Sequence, residues 1–217
     1  MSQRKKAAKK PRPYHKGNVS RDMMKAASHI LQTERVEDIS VRRLTREVGV
    51  TPANFYNYFP SLDALLLTLA ADAFDEVSAN FSRIMTKDKN RNAALLQLSV
   101  QFVEFAMANK QLFRIMFGQL PSSMEHARFR QASEACFDEV ILAVYGQQPA
   151  AGSVDIKDKH RKAKLAYAVF ALVYGLARNI IEDQFEFATG SRAEIRQFVE
   201  DVMGTLLDAT VPKKENA

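Results

Sequence analysis

The sequence predicts an all-α protein. Apolar residues recur at helical spacings of three and four along most of the chain, and no stretch alternates as a half-buried strand would. Hydroxyl residues and prolines stand where helices would begin, and glycines where they would end. The chain has 217 residues, 47% hydrophobic and 26% charged. That is enough for a real core in one domain or a small pair. The composition excludes collagen, low-complexity disorder and a disulfide scaffold. The single cysteine, Cys136, has no internal partner, so a reducing cytoplasm is the expected compartment. The longest uncharged apolar run, residues 165–177, falls short of the roughly 18 residues of a membrane span, and no membrane partner is expected. The charged start lacks the apolar segment of a secretory signal.

The first helix is expected from residue 18 or 20 to about residue 33, with Met23, Ala27, Ile30 and Leu31 on one face. Ser40 is a good N-cap for a short second helix over residues 41–48, whose inner face is Val41, Leu44 and Val48. Gly49 suits a left-handed helix end. Thr51 caps a third short helix with Pro52 in its first turn, Pro60 closes it, and Ser61 caps the fourth. The fourth, residues 62–85, carries the stripe Leu62, Leu65, Leu66, Leu69, Ala73, Val77, Phe81 and Ile84. A polar break over residues 88–92 precedes helices over 93–108 and 111–117, the latter ended by Gly118. Pro121 and Ser122 are expected to start the next helix, which reaches Tyr145. After a loop over residues 147–154, two final helices are expected over 156–187 and 192–209, with a frayed tail over 211–217.

Charge is unevenly placed. The chain has a net charge of +6, yet residues 1–21 hold eight Lys and Arg with no acid before Asp22, so the remainder is net −2. Pro11, Pro13 and Gly17 keep most of this arm, residues 1–17, out of a helix. An arm without apolar residues to pack is attracted to polyanions, chiefly nucleic acid. A solubilising tail is the competing reading.

Residues 40–59, SVRRLTREVGVTPANFYNYF, form two short capped helices meeting at a glycine turn. That is the helix-turn-helix pattern, whose second helix enters the major groove while the first crosses the backbone. Ser40, Arg42, Arg43 and Arg46 are candidates for DNA phosphate. Only Arg43 has an acidic i+4 partner, Glu47, and Arg42 and Arg46 repel each other. Residues 48–62 carry no charge at all. They offer Thr51, Asn54, Tyr56, Asn57 and Tyr58, groups suited to base edges and phosphate oxygens, while Phe55 and Phe59 can anchor the helix to the core. The alternative is a helical lipid- or metabolite-binding protein whose helix pair is structural.

The first sixty-five or so residues resemble the DNA-binding domain of the TetR family of bacterial transcriptional repressors. The resemblance rests on Ala26-Ala27, on SVRRLTREVGV, on the string Phe55-Tyr56-Asn57-Tyr58-Phe59 and on Leu62-Asp63-Ala64-Leu65-Leu66. It implies a homodimer of about nine helices per chain, with an N-terminal reader of palindromic double-stranded DNA and a C-terminal domain for a small effector. The reader would span residues 18–61 and the ligand-binding and dimerisation domain 62–210. Carried over, Thr51, Pro52, Ala53, Asn54 and Asn57 would face bases, and Tyr56 and Tyr58 would hold phosphates. Two positions depart. The family usually has a lysine where this chain has Leu62, and a glycine is common after the first helix, where Glu34-Arg35 stand.

The C-terminal half resembles, loosely, a subtype with a tryptophan-histidine-glycine signature, of which Tyr174-Gly175 retains only the glycine. Residues 165–177 are apolar on every face, so that helix is expected to be buried all round, by its own subunit and a twin. Ile195, Phe198, Val199, Val202, Met203 and Leu206 form one stripe on the last helix. It suits either a four-helix dimer interface or the monomer core. Fourteen phenylalanines suggest an apolar pocket, with Phe102, Phe105, Phe113, Met116, Phe117, Phe137 and Phe170 as candidates. Tyr174 and Arg178 are candidates for the polar end of an aromatic or acyl-chain-like effector, or Arg178 pairs with Glu182. No metal-ligand spacing, cofactor loop or nucleophile motif is visible, so neither a cofactor nor an enzyme is expected.

Overall fold

Three hydroxyls organise the N-terminal part. Ser40 Oγ accepts from the Arg43 N–H at 3.3 Å, Thr51 Oγ1 from the Asn54 N–H at 3.3 Å, and Ser61 Oγ from the Ala64 N–H at 3.1 Å. Each satisfies a donor that a helix start leaves open. In this computed structural model the structure describes residues 19–88, 90–118, 120, 123–146, 163–184 and 190–210, the last two by their backbone. The basic arm, the loop after Tyr145 and the tail from Val211 lie outside these residues.

The described residues form nine α-helices and one 3₁₀ turn. They are α1 (Val19–Thr33), the 3₁₀ turn (Val36–Asp38), α2 (Val41–Val48), α3 (Pro52–Phe55), α4 (Leu62–Lys87), α5 (Arg91–Ala108), α6 (Lys110–Phe117), α7 (Ala127–Tyr145), α8 (Lys164–Ile181) and α9 (Arg192–Thr210). Four differences from the sequence expectation have physical causes. Helix α3 is a single turn, and the chain leaves it as a turn over residues 56–58. Helix α5 starts at Arg91 because Asn90 Oδ1 accepts from the Asn92 and Ala93 N–H groups, at 3.1 and 3.3 Å. Helix α7 starts at Ala127, because His126 Nδ1 accepts from the Phe129 N–H at 3.2 Å. Helix α8 ends at Ile181, six residues before the expected end, because Asp183 turns left-handed with φ +52°.

The apolar stripes are where their periods put them. Met23, Ala27, Ile30 and Leu31 are buried against α2 and α4. Leu44, Phe55 and Leu65 are fully enclosed. The long α4 runs from this unit into the larger bundle, where it packs along α6 and α7, while α5 packs on α8 and α9. Helix α6 bridges the two parts. It touches α1 and α4, and Gln111 Oε1 accepts from the Val36 N–H at 3.3 Å.

Helix α8 is long and apolar enough to cross a bilayer by length and composition. Its own subunit buries one face, through Val169, Val173, Leu176, Ala177 and Ile180. Tyr167, Ala168 and Ala171 on the other side are exposed. The expectation of burial all round therefore holds for only half of it within one chain.

Candidate functional site

Helices α2 and α3 present one continuous polar face. Arg42 and Arg46 are exposed on α2. Thr51, Pro52, Ala53, Tyr56, Asn57 and Tyr58 are exposed on and after α3. Tyr56 is 59% and Tyr58 45% exposed, unusual for such large rings. The support beneath is aromatic. Phe55 is fully buried, meets the Tyr56 ring edge-on at 5.4 Å and lies 5.7 Å from the Phe59 ring. Gly49 takes φ +79° between the helices, a conformation that a Cβ would strain.

Two residues sit differently from the sequence expectation. Arg43 is not open to a phosphate. Its guanidinium makes a two-pronged pair with Glu34 at the end of α1 and a second contact, at 3.5 Å, with Glu47. The Arg43 hydrogen bonds hold the Glu34 carboxyl below its ordinary value. Arg43 thus fixes α2 against α1. Asn54 is half-buried, and its side-chain oxygen is enclosed without a hydrogen-bond partner among the described residues. Ser40, half of whose role is capping, is exposed at the start of α2.

Between α4, α5, α6, α7 and α8 the larger bundle forms a partly open cavity of about 310 Å³. Phe102, Met116, Phe117, Phe137 and Phe170 line it. So do Phe74, Phe81, Leu98, Ser99, Phe129, Ser133, Cys136, Val140, Val169 and Val173. Among the described residues no charged one is in the lining. The Ser99 and Ser133 hydroxyls donate to their own helices, to Leu95 O at 2.8 Å and Arg130 O at 2.9 Å. Burial pushes the Cys136 thiol up to about 11, so it is a neutral wall atom. These wall residues would offer no partner to a charge held against them.

Phe105, Phe113, Tyr174 and Arg178 do not line the cavity. Phe113 is buried behind it, edge-on to Phe102 at 5.6 Å. The Tyr174 ring stacks on Phe170 at 5.8 Å, and its hydroxyl accepts from Arg178 Nη1 at 3.0 Å. The expected Arg178–Glu182 pair is replaced. Glu182 is taken by Arg114 of α6, whose Nε and Nη2 donate to its two oxygens at 3.0 and 2.9 Å. Phe105 faces a second hollow, of about 310 Å³, with Asn80, Gln101, Glu104 and Arg192 at its rim.

The α9 stripe is divided. Ile195, Val199 and Met203 are buried in their own subunit and cannot supply an outer face. Phe198, Val202 and Leu206 are half-buried beside them. Among the described residues no group of His, Cys, Asp or Glu is arranged to hold a metal ion.

No family model matches the chain. It is 30% identical over 120 residues to the nucleoid occlusion factor SlmA of Mannheimia succiniciproducens, covering 53% of each protein. It is 29% identical over 132 residues to SlmA of Idiomarina loihiensis, covering 59% of this chain and 65% of that protein. The chain thus spans between half and two thirds of the length of these curated relatives. A protein of unknown function from Rhodococcus sp. RHA1 superposes with a TM-score of 0.69 at 26% identity, over 89% of this chain and 97% of its own. A TetR transcriptional regulator from the same organism superposes with a TM-score of 0.63 at 12% identity, over 91% of this chain and all of its own. The chain has the fold of the TetR family. FadR of Bacillus subtilis, solved with stearoyl-CoA, shares this TetR fold at a TM-score of 0.61 and 9% identity, over 84% of this chain and 96% of its own.

Within the TetR fold the two departures now have structural readings. Glu34, where the family commonly has glycine nearby, provides the carboxylate that holds Arg43. Leu62, where a lysine is usual, packs half-buried against the core. Its position is therefore apolar support for α4.

Proposed function

We propose that this chain is a sequence-specific DNA-binding transcriptional regulator. In this reading a homodimer represses from a palindromic operator in the cytoplasm and releases it when a small apolar molecule fills the cavity. The observation that carries the reading is the uncharged face of residues 51–58, exposed on a rigid aromatic base and flanked by Arg42 and Arg46. The Thr51 hydroxyl caps α3, but the exposed Tyr56, Asn57 and Tyr58 side chains present polar groups outward, and against DNA such groups meet base edges and phosphates. Thr51, Pro52, Ala53 and Asn57 are the proposed base contacts. Ser40, Arg42, Arg46, Tyr56 and Tyr58 are the proposed phosphate contacts, joined by the basic arm of residues 1–17.

The unit over residues 18–61 would read DNA, and residues 62–210 would bind effector and twin. The exposed side of α8, with Tyr167, Ala168 and Ala171, and the outer α9 residues Phe198, Val202 and Leu206 would form the two-fold interface. The all-apolar lining of the cavity supports an aromatic or acyl-chain-like effector. Among the described residues its side chains are almost all apolar, a lining suited to binding an apolar molecule.

A gel shift with genomic fragments tests the regulator. At physiological salt at least one fragment should be bound more tightly than random DNA. Uniform weak binding to all fragments would leave the competing reading, a lipid- or metabolite-binding protein that has the cavity but no operator.

A further inference from the structure

The apolar cavity and the second hollow share a wall. Phe81 of α4 and Phe102 of α5 line both. The two rings are held differently. Phe102 meets Phe113 edge-on at 5.6 Å and Phe117 at 5.9 Å. Phe81 has no aromatic neighbour among the described residues. Of the two, Phe81 is the one whose rotation would join the spaces.

The spaces differ in chemistry. The first is walled almost wholly by apolar side chains, while the second adds Asn80, Gln101, Glu104 and Arg192 to Val77, Phe81, Phe102 and Phe105. Arg192 Nε donates to Glu104 Oε1 at 3.0 Å, so these two charges answer each other. Asn80 and Gln101 are half-buried amides engaged in no hydrogen bond among the described residues. Each offers both a donor and an acceptor. A charged head would have to open the Arg192–Glu104 pair; an uncharged one would not.

We propose that the two hollows are one site for an amphipathic effector. Its apolar tail fills the cavity, and its uncharged hydrogen-bonding head rests against Asn80 and Gln101, with Phe81 as the movable partition. The cavity holds a tail on the order of ten heavy atoms, at roughly 30 Å³ for each water-sized group. This deepens the proposed effector site and rests on the cavity being one.

Calorimetric titration of the full chain with four probes tests it: decanamide, decanoate, decyltrimethylammonium and headless naphthalene. Decanamide should bind most tightly of the three ten-carbon amphiphiles. The double variant Asn80→Ala, Gln101→Ala should weaken decanamide about tenfold, the effect of losing one or two hydrogen bonds. Naphthalene affinity and the melting temperature should stay as they were, because both amides lie at the rim. Phe81→Ala should speed decanamide association. If naphthalene binds but decanamide ignores the double variant, the two-compartment site is wrong while the apolar effector cavity stands. If decanoate or decyltrimethylammonium binds more tightly than decanamide, the uncharged head is wrong. If no probe binds, the effector cavity itself fails and this site with it.

Discussion

The two functional regions are built in opposite ways. The polar face of α2 and α3 is local: its parts lie within residues 40–59, and three-residue hydrogen bonds from Ser40 and Thr51 fix their order. The cavity is non-local, drawing its wall from five helices spread over a hundred residues. The first is a filled support presenting its chemistry outward, and the second is a shell presenting its chemistry inward. A local site depends on anchors that admit no slack, whereas a shell already has a void into which neighbours can relax.

The largest expected effect breaks that contrast at two phenylalanines. Phe55 is fully buried under the polar face, whereas Phe137 is half-buried on the cavity wall. Phe55→Ala should cost about 3–5 kcal/mol, and Phe137→Ala about 2 kcal/mol because one side of the ring already faces empty space. Urea unfolding of both variants measures the difference. Equal losses would mean that the cavity wall is as tightly packed as the N-terminal unit.

The next comparison uses the two helix ends that a left-handed glycine closes. Gly49 closes α2 at φ +79° with open space around a would-be Cβ, and Gly146 closes α7 at φ +73° with the Arg91 guanidinium in the way. Gly49→Ala should cost about 1–2 kcal/mol from backbone strain alone. Gly146→Ala should cost slightly more, since Arg91 must also swing aside. The discriminating measurement is a third protein, Gly146→Ala with Arg91→Ala, whose melting temperature should return toward that of Gly49→Ala.

An acid titration compares the clamps of the two regions. Glu34 is held below its ordinary value of 4.5 by Arg43, and Glu182 below the same value by Arg114. A carboxyl whose folded value is depressed stabilises the fold above its unfolded value and loses that contribution as pH falls through the folded value. Stability should therefore be flat above about pH 5 and fall below about pH 4.5. Glu182→Gln should lower the melting temperature at pH 7 by the equivalent of about 1 kcal/mol, since both side chains remain partly solvated. It should also flatten the acid limb. An acid limb unchanged by Glu182→Gln would place the sensitivity elsewhere, with Glu34→Gln as the next variant to titrate.

Legibility followed the same division. The caps Ser40, Thr51 and Ser61, the turn at Gly49 and the anchors Phe55 and Phe59 could be read from spacing because each acts within four residues of itself. The partner of Arg43 could not: Glu47 stood at helical spacing, but Glu34 lies beyond a turn. For the same reason spacing offered Glu182 only Arg178, four residues away, as one alternative, whereas it meets Arg114 across the bundle. The cavity's composition was readable from the phenylalanines, but its membership was not. Phe81 was read only as a stripe residue of α4, and Phe74 was not singled out at all, until the fold placed both on the wall of a void. His126 was missed as a cap because its ring is a less common cap than a hydroxyl.

The smallest expected effect on the fold is also the sharpest test of the outward face. Tyr56 and Asn57 are both exposed, so Tyr56→Phe and Asn57→Ala should each change stability by less than about 0.5 kcal/mol. Their effects on DNA should differ in kind. A hydroxyl on phosphate carries no sequence information, so Tyr56→Phe should weaken operator and random DNA by the same factor. An amide on a base edge does carry it, so Asn57→Ala should lose about 1–3 kcal/mol at one base-pair position and tolerate substitutions there. Binding titrations against a set of single-base operator variants separate the two patterns. A uniform loss for Asn57→Ala would move that residue from base reading to backbone contact. A position-specific loss for Tyr56→Phe would move Tyr56 the other way, and either result would redraw which side of this polar face meets the groove.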